Sequence, residues 1–559
     1  MPQRVEPRSV DELRRLKVIV IGAGISGIIA GIRFPQRIPN LELVIYDKNR
    51  DIGGTWFENR YPGIACDIPA HSYQLSFEPN PRWPEFYASG RDIHEYWKGV
   101  ASKYDVCRYV RLSHKVIECK FDESQSKWRV KICKTTTGEI FEDSADILYN
   151  CIGALNDWKW PDIKGLHDFG GDLLHSANWD ESWDPTNKTV AVIGSGSSAI
   201  QVVPSLQPKV RRLDNYVRGR TWICPPFAPS EVEKHTSEEA NFKFGEDEIQ
   251  QFVNDPKFYH EYRKKIEQEL QSGHPITLRG PVSEQAARDF RASMAVKLAA
   301  KPEILGKLVP DFPPGCRRLT PGPGYLTALA KENVDFINTG ISCITKQGVV
   351  TQDGISRPVD AIICATGFDT TWTGRFPIIG RGNRMLVEKW AEYPKSYLGI
   401  ATDEFPNMFM SLGPSSAVGA GSLSIVLERI GDYVCSAIQK MQREAIKTIE
   451  VKSSAVDTFY EYAQAYFPNT VFSMECSSWY KGGTKDGKVS ALWPGSSLHC
   501  YKVMSNPRWE DYDYTMENGN NGAWLGDGWT IADRDENADR AYYLEPENID
   551  FPIPVGLLN

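Results

Sequence analysis

Two short glycine-rich turns carry the clearest chemistry in this chain. The first reads GAGISG and sets Gly22, Gly24 and Gly27 at the spacing G-x-G-x-x-G, with Ser26 inside the turn. In such a turn the first glycine permits a tight bend, the second lets a pyrophosphate approach the backbone, and the third lets a helix pack close to a strand. The helix that follows offers unpaired N–H groups and the positive end of its dipole to the phosphates. Asp47 lies twenty residues beyond Gly27, where a carboxylate accepts hydrogen bonds from a ribose diol. The second turn, GSGSSA, repeats the pattern with Gly194, Gly196 and Ala199, and with Ser197 and Ser198 opening the helix. The next strand there ends in Arg218, not in an acid. A carboxylate would repel a 2′-phosphate, whereas a guanidinium binds one through two parallel hydrogen bonds. The competing reading of Arg218 is a surface arginine that solvates a loop.

Strands and helices must hold these turns in place. Val18 to Ile21 and the run after Thr189 are continuously apolar and rich in β-branched residues, which suits strands buried on both faces. Leu41 to Tyr46 and roughly Arg212 to Val217 supply the second strand of each unit. The expected fold class is α/β, with two Rossmann-like dinucleotide-binding domains. Two dinucleotides in one chain are explained most economically if one is FAD and the other, NADPH, is its reductant. YNCIGAL from Tyr149 and AIICATGFD from Ala361 suit the short strand-then-turn pieces that close such a flavoprotein. A disulfide reductase needs two nearby cysteines beside the flavin, and the region after Asp47 holds only Cys66. Flavin monooxygenases remain.

Composition narrows the partners. At 559 residues the chain is too long for one ordinary core. Apolar residues at 41% and charged residues at 24% are globular values, and no run is long and apolar enough to cross a bilayer. The polar start MPQRVEPRSVDELRRL has no apolar segment of the signal-peptide kind, so a cytoplasmic protein without membrane contact is expected. The net charge of -8 with no basic run argues against nucleic acid. Twelve cysteines are scattered, without a Cys-x-x-Cys pair and without clustering with the nine histidines. Neither metal ligation nor a disulfide framework is expected, and a reducing compartment fits.

Residues 53–67, GGTWFENRYPGIACD, contain Gly53, Gly54, Thr55, Trp56, Tyr61, Pro62, Gly63 and Asp67. They match the pattern G-G-x-W-x-x-x-x-[FY]-P-[GM]-x-x-x-D of Baeyer-Villiger monooxygenases. FGGDLLHSANWD, residues 169–180, likewise resembles that family's fingerprint F-x-G-x-x-x-H-x-x-x-W-[PD] through Phe169, Gly171, His175, Trp179 and Asp180. The resemblance runs from about Lys17 to about His499. It implies a flavin peroxide that attacks a ketone carbonyl and inserts one oxygen from O2 to give an ester or lactone. Negative charge develops along that path, so the site needs a fixed cation in a water-poor pocket.

GCRRLTPGPGY from Gly315 aligns with the family's Lys-Arg pair, which makes Arg318 the expected catalytic cation and Arg317 a contact of the 2′-phosphate beside Arg218. Asp67 aligns with a carboxylate that orients the arginine. SSWYKGG from Ser477 resembles a segment that places Trp479 over the nicotinamide nucleotide. His175 is expected to couple domain movement to cofactor position, without proton chemistry. Phe169, Gly171 and Trp179 read most simply as packing residues.

The resemblance implies an FAD domain made of residues 1–155 and 370–559, with the NADP domain at 156–369 between them. It also implies a helical insertion at about 228–312 and an aperiodic wrapping tail from about Asn506. The last hundred residues are closest to fungal secondary-metabolism members, so the expected substrate is a bulky or cyclic ketone and the expected state a monomer. Two alternatives stay open from sequence: epoxidation or N- or S-oxygenation on the same fold, and a noncatalytic flavin redox sensor.

Overall fold

The computed structural model describes residues 5–235, 241–372, 375–550 and 552. Two five-stranded parallel sheets form its framework. In the first, the strands run in the order Met408–Met410, Ile147–Asn150, Leu16–Ile21, Leu41–Tyr46 and Val110–Arg111. In the second, the order is Val334–Ile337, Arg212–Tyr216, Thr189–Ile193, Ala361–Cys364 and Asp172–His175. The apolar runs become central strands because both faces are covered: Val18, Ile19, Val20, Val190, Ala191 and Val192 have no exposed surface. Each glycine turn then joins its central strand to a helix, Ile25–Arg37 in the first unit and Ser197–Leu206 in the second.

Gly27 shows why that joint needs glycine. A Cβ there would lie 2.0 Å from the carbonyl oxygen of Gly22, so any side chain would push the helix off the strand. The strand from Met408 pairs with Ile147–Asn150, so the first sheet draws on both ends of the chain.

FGGDLLHSANWD contributes the edge strand Asp172–His175 to the second sheet, parallel to Ala361–Cys364. The segment expected to be helical holds the helices Pro229–His235, Glu246–Asn254, Pro256–Gln271, Pro281–Lys297 and Glu303–Leu308, with residues 236–240 outside the described set. It divides between two cores. Val232, Phe252, Tyr259 and Ile266 pack with the first sheet's cluster, while Phe290, Met294 and Leu308 pack with the second's. The helices therefore bridge the two units.

The tail departs from the expected wrapping coil. Tyr512–Met516 forms a strand antiparallel to Ile446–Val451, and Tyr512 is buried with its hydroxyl on that of Tyr433. The run YDYTM does alternate with period two, but over five residues that signal is short. No helix among the described residues is long and apolar enough to cross a membrane.

Candidate functional site

Most of the expected site residues face one cavity of about 510 Å³ between the two sheets. Gly22, Gly24, Ser26, Asp47, Gly54, Thr55, Trp56, Tyr61, Asp67, Ser197, Ser198, Arg318 and Trp479 all line it. The first turn supplies its floor. Gly24 and Gly54 approach so closely that a Cβ on Gly54 would lie 3.0 Å from the Gly24 Cα, which leaves a cradle walled by bare backbone. Asp47 ends the second strand, buried, and its carboxylate accepts from the Ala23 and Asn49 N–H groups at 2.6 and 2.7 Å. Burial pushes its pKa up and the two backbone donors pull it down. Each oxygen retains capacity to accept a further hydrogen bond. Ser26 accepts from the Ser411 hydroxyl at 2.8 Å, tying the turn to the loop after Met408–Met410.

The cation stands opposite this floor. Arg318 Nε and Nη2 donate to the two carboxylate oxygens of Asp67 at 2.7 and 2.6 Å, a bidentate fork. The Arg318 side chain is 43% exposed, but that surface faces the cavity deep inside the protein, and Asp67 is 17% exposed. The attraction of Asp67 raises the guanidinium pKa further above its usual value, outweighing burial, so Arg318 carries its charge at every accessible pH. Around the pair stand Tyr73, which accepts from Trp56 Nε1 at 3.1 Å, together with Tyr61 and Tyr480. Burial pushes the hydroxyls of Tyr61 and Tyr480 up to about 12, so both remain protonated.

Ser197 and Ser198 bring the second turn to the same cavity, and Ala199 packs behind them without exposed surface. Gly194 ends the central strand and Gly196 caps the helix. Tyr61 donates to Gln201 on that helix at 2.8 Å, and Gln201 Nε2 donates to the Ala65 carbonyl at 2.9 Å. The helix of the second turn is thus fastened to the segment that carries Asp67. Arg218 and Arg317 lie outside the cavity. Arg317 donates to the Arg220 carbonyl at 3.0 Å, covers the Phe312 ring at 5.1 Å and keeps a buried Nε without a partner. Burial and then the nearby charge of Arg218 lower its pKa. Among the described residues neither arginine has a carboxylate within ion-pair distance, whereas Arg220 pairs with Asp311 at 3.0 Å. Two neighbouring cations are thus left without a counter-charge of their own.

The fingerprint residues lie away from this cavity. His175 is 1% exposed and stacks on Trp158 at 4.4 Å between ring centres. Its Nδ1 accepts from the Ala177 N–H at 3.1 Å, and burial holds its pKa down to about 4. Phe169 packs into the core under the second sheet, Gly171 immediately precedes the edge strand, and Trp179 is buried edge-on to Trp183 at 5.6 Å. Asp180 accepts from Ser182 in a local turn, which lowers its pKa. Trp479 opens a short turn, Trp479–Lys481, edge-on to Tyr480 at 4.6 Å between ring centres.

Several residues escaped the sequence reading. Gln201 fastens the two units, and Arg375 donates to the Ala154 carbonyl at 2.9 Å at the cavity rim. Lys481 is buried and donates to the Met474 and Lys485 carbonyls at 2.7 and 2.6 Å, locking the Trp479 turn. Burial lowers its pKa. The cysteine expectation is overturned at one place: Cys316 and Cys476 form a disulfide. Long-range folding brings two cysteines together that lie 160 residues apart, which no local spacing reveals. The only hint was that each flanks a motif, Arg317-Arg318 or Trp479.

Two parallel-sheet nucleotide units opening on one cavity, with a caged cation at its wall, define a flavin-dependent oxygenase architecture. Residues 20–89 match the model of an NAD(P)-binding Rossmann-like domain. The FAD-binding monooxygenase tazF of Aspergillus terreus is 37% identical over 536 residues, which cover 95% of each chain. A Baeyer-Villiger monooxygenase of Pseudomonas aeruginosa is 33% identical over 484 residues, 86% of this chain and 88% of that one. The structure of cyclohexanone monooxygenase from Rhodococcus sp. Phi1 bound to NADP+ superposes with a TM-score of 0.77 at 26% identity, covering 90% of this chain and 100% of the other. The chain belongs to the FAD-binding monooxygenases, the family that includes the Baeyer-Villiger enzymes.

The neutral His175 has a measurable consequence. An unfolded histidine binds its proton near pH 6.5, whereas the folded protein refuses it until about pH 4. Its contribution to stability is therefore complete above pH 6.5 and is lost as the pH falls toward 4. Unfolding midpoints measured across that range are expected to fall less steeply with acidification in His175→Phe than in the natural protein. Parallel curves would contradict the buried neutral state.

Proposed function

We propose that this protein is an FAD-containing, NADPH-dependent Baeyer-Villiger monooxygenase that inserts one oxygen atom from O2 beside the carbonyl of a bulky or cyclic ketone, giving an ester or lactone in the cytoplasm. The observation that carries the reading is the Asp67–Arg318 fork set into the wall of a cavity that both nucleotide turns enter.

The residues present fit the cofactors. The bare-backbone cradle of Gly22, Gly24 and Gly54 would take the FAD pyrophosphate, with Thr55 and Trp56 beside it and Asp47 on the ribose. On this reading residues 1–155 and 370–559 serve FAD, and residues 156–369 serve NADP. Gly194, Gly196, Ser197, Ser198 and Ala199 would receive the second pyrophosphate, Arg218 and Arg317 the 2′-phosphate, and Trp479 the nicotinamide end. Bound FAD supplies the redox chemistry that takes electrons from NADPH and activates O2.

The protein contributes charge, orientation and dryness. Arg318 presents a fixed positive charge to the negative charge that accumulates on the ketone oxygen during insertion, and it needs no reorganisation to do so. Asp67 holds the guanidinium by its Nε–Nη2 edge through two hydrogen bonds, which fixes the orientation of the arginine. Trp56, Tyr61, Tyr73 and Tyr480 wall the cavity and exclude water, which strengthens every interaction inside. The protonated tyrosine hydroxyls add no competing negative charge.

The holoenzyme incubated with NADPH, oxygen-18 gas and a panel of cyclic, aryl-alkyl and polycyclic ketones is expected to form an ester or lactone carrying one labelled atom. Label found only in products from alkenes, amines or sulfides, or in none, would sink the proposal. Arg318→Ala should bind FAD normally and lose ester formation by at least about 100-fold, the scale for removing a preorganised charge-stabilising donor. In initial-rate assays, Arg218→Ala and Arg317→Ala should each raise the KM for NADPH by about tenfold or more and leave that for NADH unchanged, since each removes a charge-assisted contact to a phosphate on the order of 1.4 kcal/mol or more. Equal effects on both nucleotides would remove the two arginines from the 2′-phosphate site.

A further inference from the structure

The Cys316–Cys476 disulfide joins the two segments on which the proposed chemistry depends. Cys316 directly precedes Arg317 and Arg318, and Cys476 precedes Ser477, Ser478, Trp479 and Tyr480. Their Cα atoms lie 6.4 Å apart, within the ordinary range for a disulfide, and both residues are buried. Arg318, Trp479 and Tyr480 face the same cavity.

The other anchors of these segments point elsewhere. Arg318 is held by Asp67 and Arg317 by the Arg220 carbonyl. The Tyr480 carbonyl accepts from the Ser490 and Ala491 N–H groups, and Lys481 binds carbonyls within its own loop. Among the described residues no backbone hydrogen bond joins residues 313–320 to residues 474–488. Besides the contacts of the same two sulfurs with the Met474 and Cys316 carbonyls, at 3.5 and 3.1 Å, the covalent bond is the direct tie between the cation's segment and the aromatic turn. Gly482 and Gly483, with φ of +61° and +81°, continue that turn into an exposed stretch ending near Lys488.

We propose that the Cys316–Cys476 cross-link is a positioning element of the oxygen-transfer site, set by thiol–disulfide exchange. Formed, it holds Trp479 and Tyr480 over the cavity at a fixed distance from Arg318. Reduced, it leaves the exposed stretch 482–488, beyond the anchors of Tyr480 and Lys481, free to move, loosens Trp479 over the cavity and admits water. Electrons from NADPH then pass to O2 with two protons and leave as hydrogen peroxide instead of entering product.

Formation needs an oxidant of the low-molecular-weight disulfide class, such as oxidised glutathione. One cysteine thiolate attacks that disulfide and expels one glutathione thiolate. The second cysteine thiolate then displaces the other, so two protein thiols lose two electrons and two protons while one glutathione disulfide becomes two thiols. Dithiothreitol runs the exchange backwards.

The product readout rests on the function proposed above, but the loop readout does not. Holoenzyme denatured with iodoacetamide and no reductant should yield a Cys316–Cys476 cross-linked peptide by mass spectrometry, with the exposed Cys107 alkylated. Limited trypsin cleavage at the exposed Lys485 and Lys488 should be about tenfold faster in dithiothreitol-treated protein. Cys316→Ser, Cys476→Ser and the double variant should match the reduced protein and one another, because each removes the same bond. The same four samples should show a several-fold higher ratio of hydrogen peroxide to ester per NADPH consumed. Alkylation of both cysteines, or unchanged cleavage and unchanged peroxide ratio in reduced natural protein and the double variant, would overturn the proposal. Absence of ester from every form, with the cleavage difference intact, would overturn the ketone reading and leave the tether standing.

Discussion

The arrangement depends on one ion pair. Arg318 and Asp67 are 251 residues apart, and the fork between them fixes where a positive charge stands in the cavity. A guanidinium drawn partly out of water loses hydration, and Coulomb attraction offsets this only if the geometry is tight. Two hydrogen bonds of 2.7 and 2.6 Å meet that condition. Removing either partner would leave the other without its counter-charge at the cavity wall, a loss moderated by the surface that Arg318 keeps exposed there. The pair thus fixes the direction of the charge in the cavity, because each group orients the other.

Holding both partners requires the two sheets to stay in register, and a few contacts at their seam do this. Gln201 and Tyr61 lock the helix of the second turn to the segment that ends in Asp67, and the insertion helices pack on both cores. Arg318 follows Cys316, whose disulfide reaches the loop of Trp479. The cation is therefore approached from three directions by restraints of different kinds: a charge-assisted fork, a polar seam and a covalent bond. His175, by contrast, acts through packing, as a neutral ring between Trp158 and the second sheet.

Much of this was legible in the residues. The glycine turns could be read because only glycine allows the approach seen at Gly27 and between Gly24 and Gly54, so chemistry is written into local spacing. Asp67 and Arg318 were legible through motifs that each segment carries separately, although their contact spans the whole fold. The Cys316–Cys476 bond was not legible, because a pairing across 160 residues leaves no periodic trace. The division of the helical segment between two cores was also hidden, since an apolar helix face does not say which neighbour it meets. The strand Tyr512–Met516 escaped because five alternating residues fall below what pattern alone distinguishes.

The most direct test of the account is the rate of oxygen-18 ester formation by Asp67→Asn, measured beside its rate of FAD reduction by NADPH. Asparagine keeps the size of the side chain but leaves Arg318 without its counter-charge and without one acceptor of the fork. The account predicts normal FAD content and reduction, with ester formation slowed by at least about 100-fold as the guanidinium loses its orientation. Ester formation at the natural rate would show that the Asp67–Arg318 pair does not set the chemistry of the cavity.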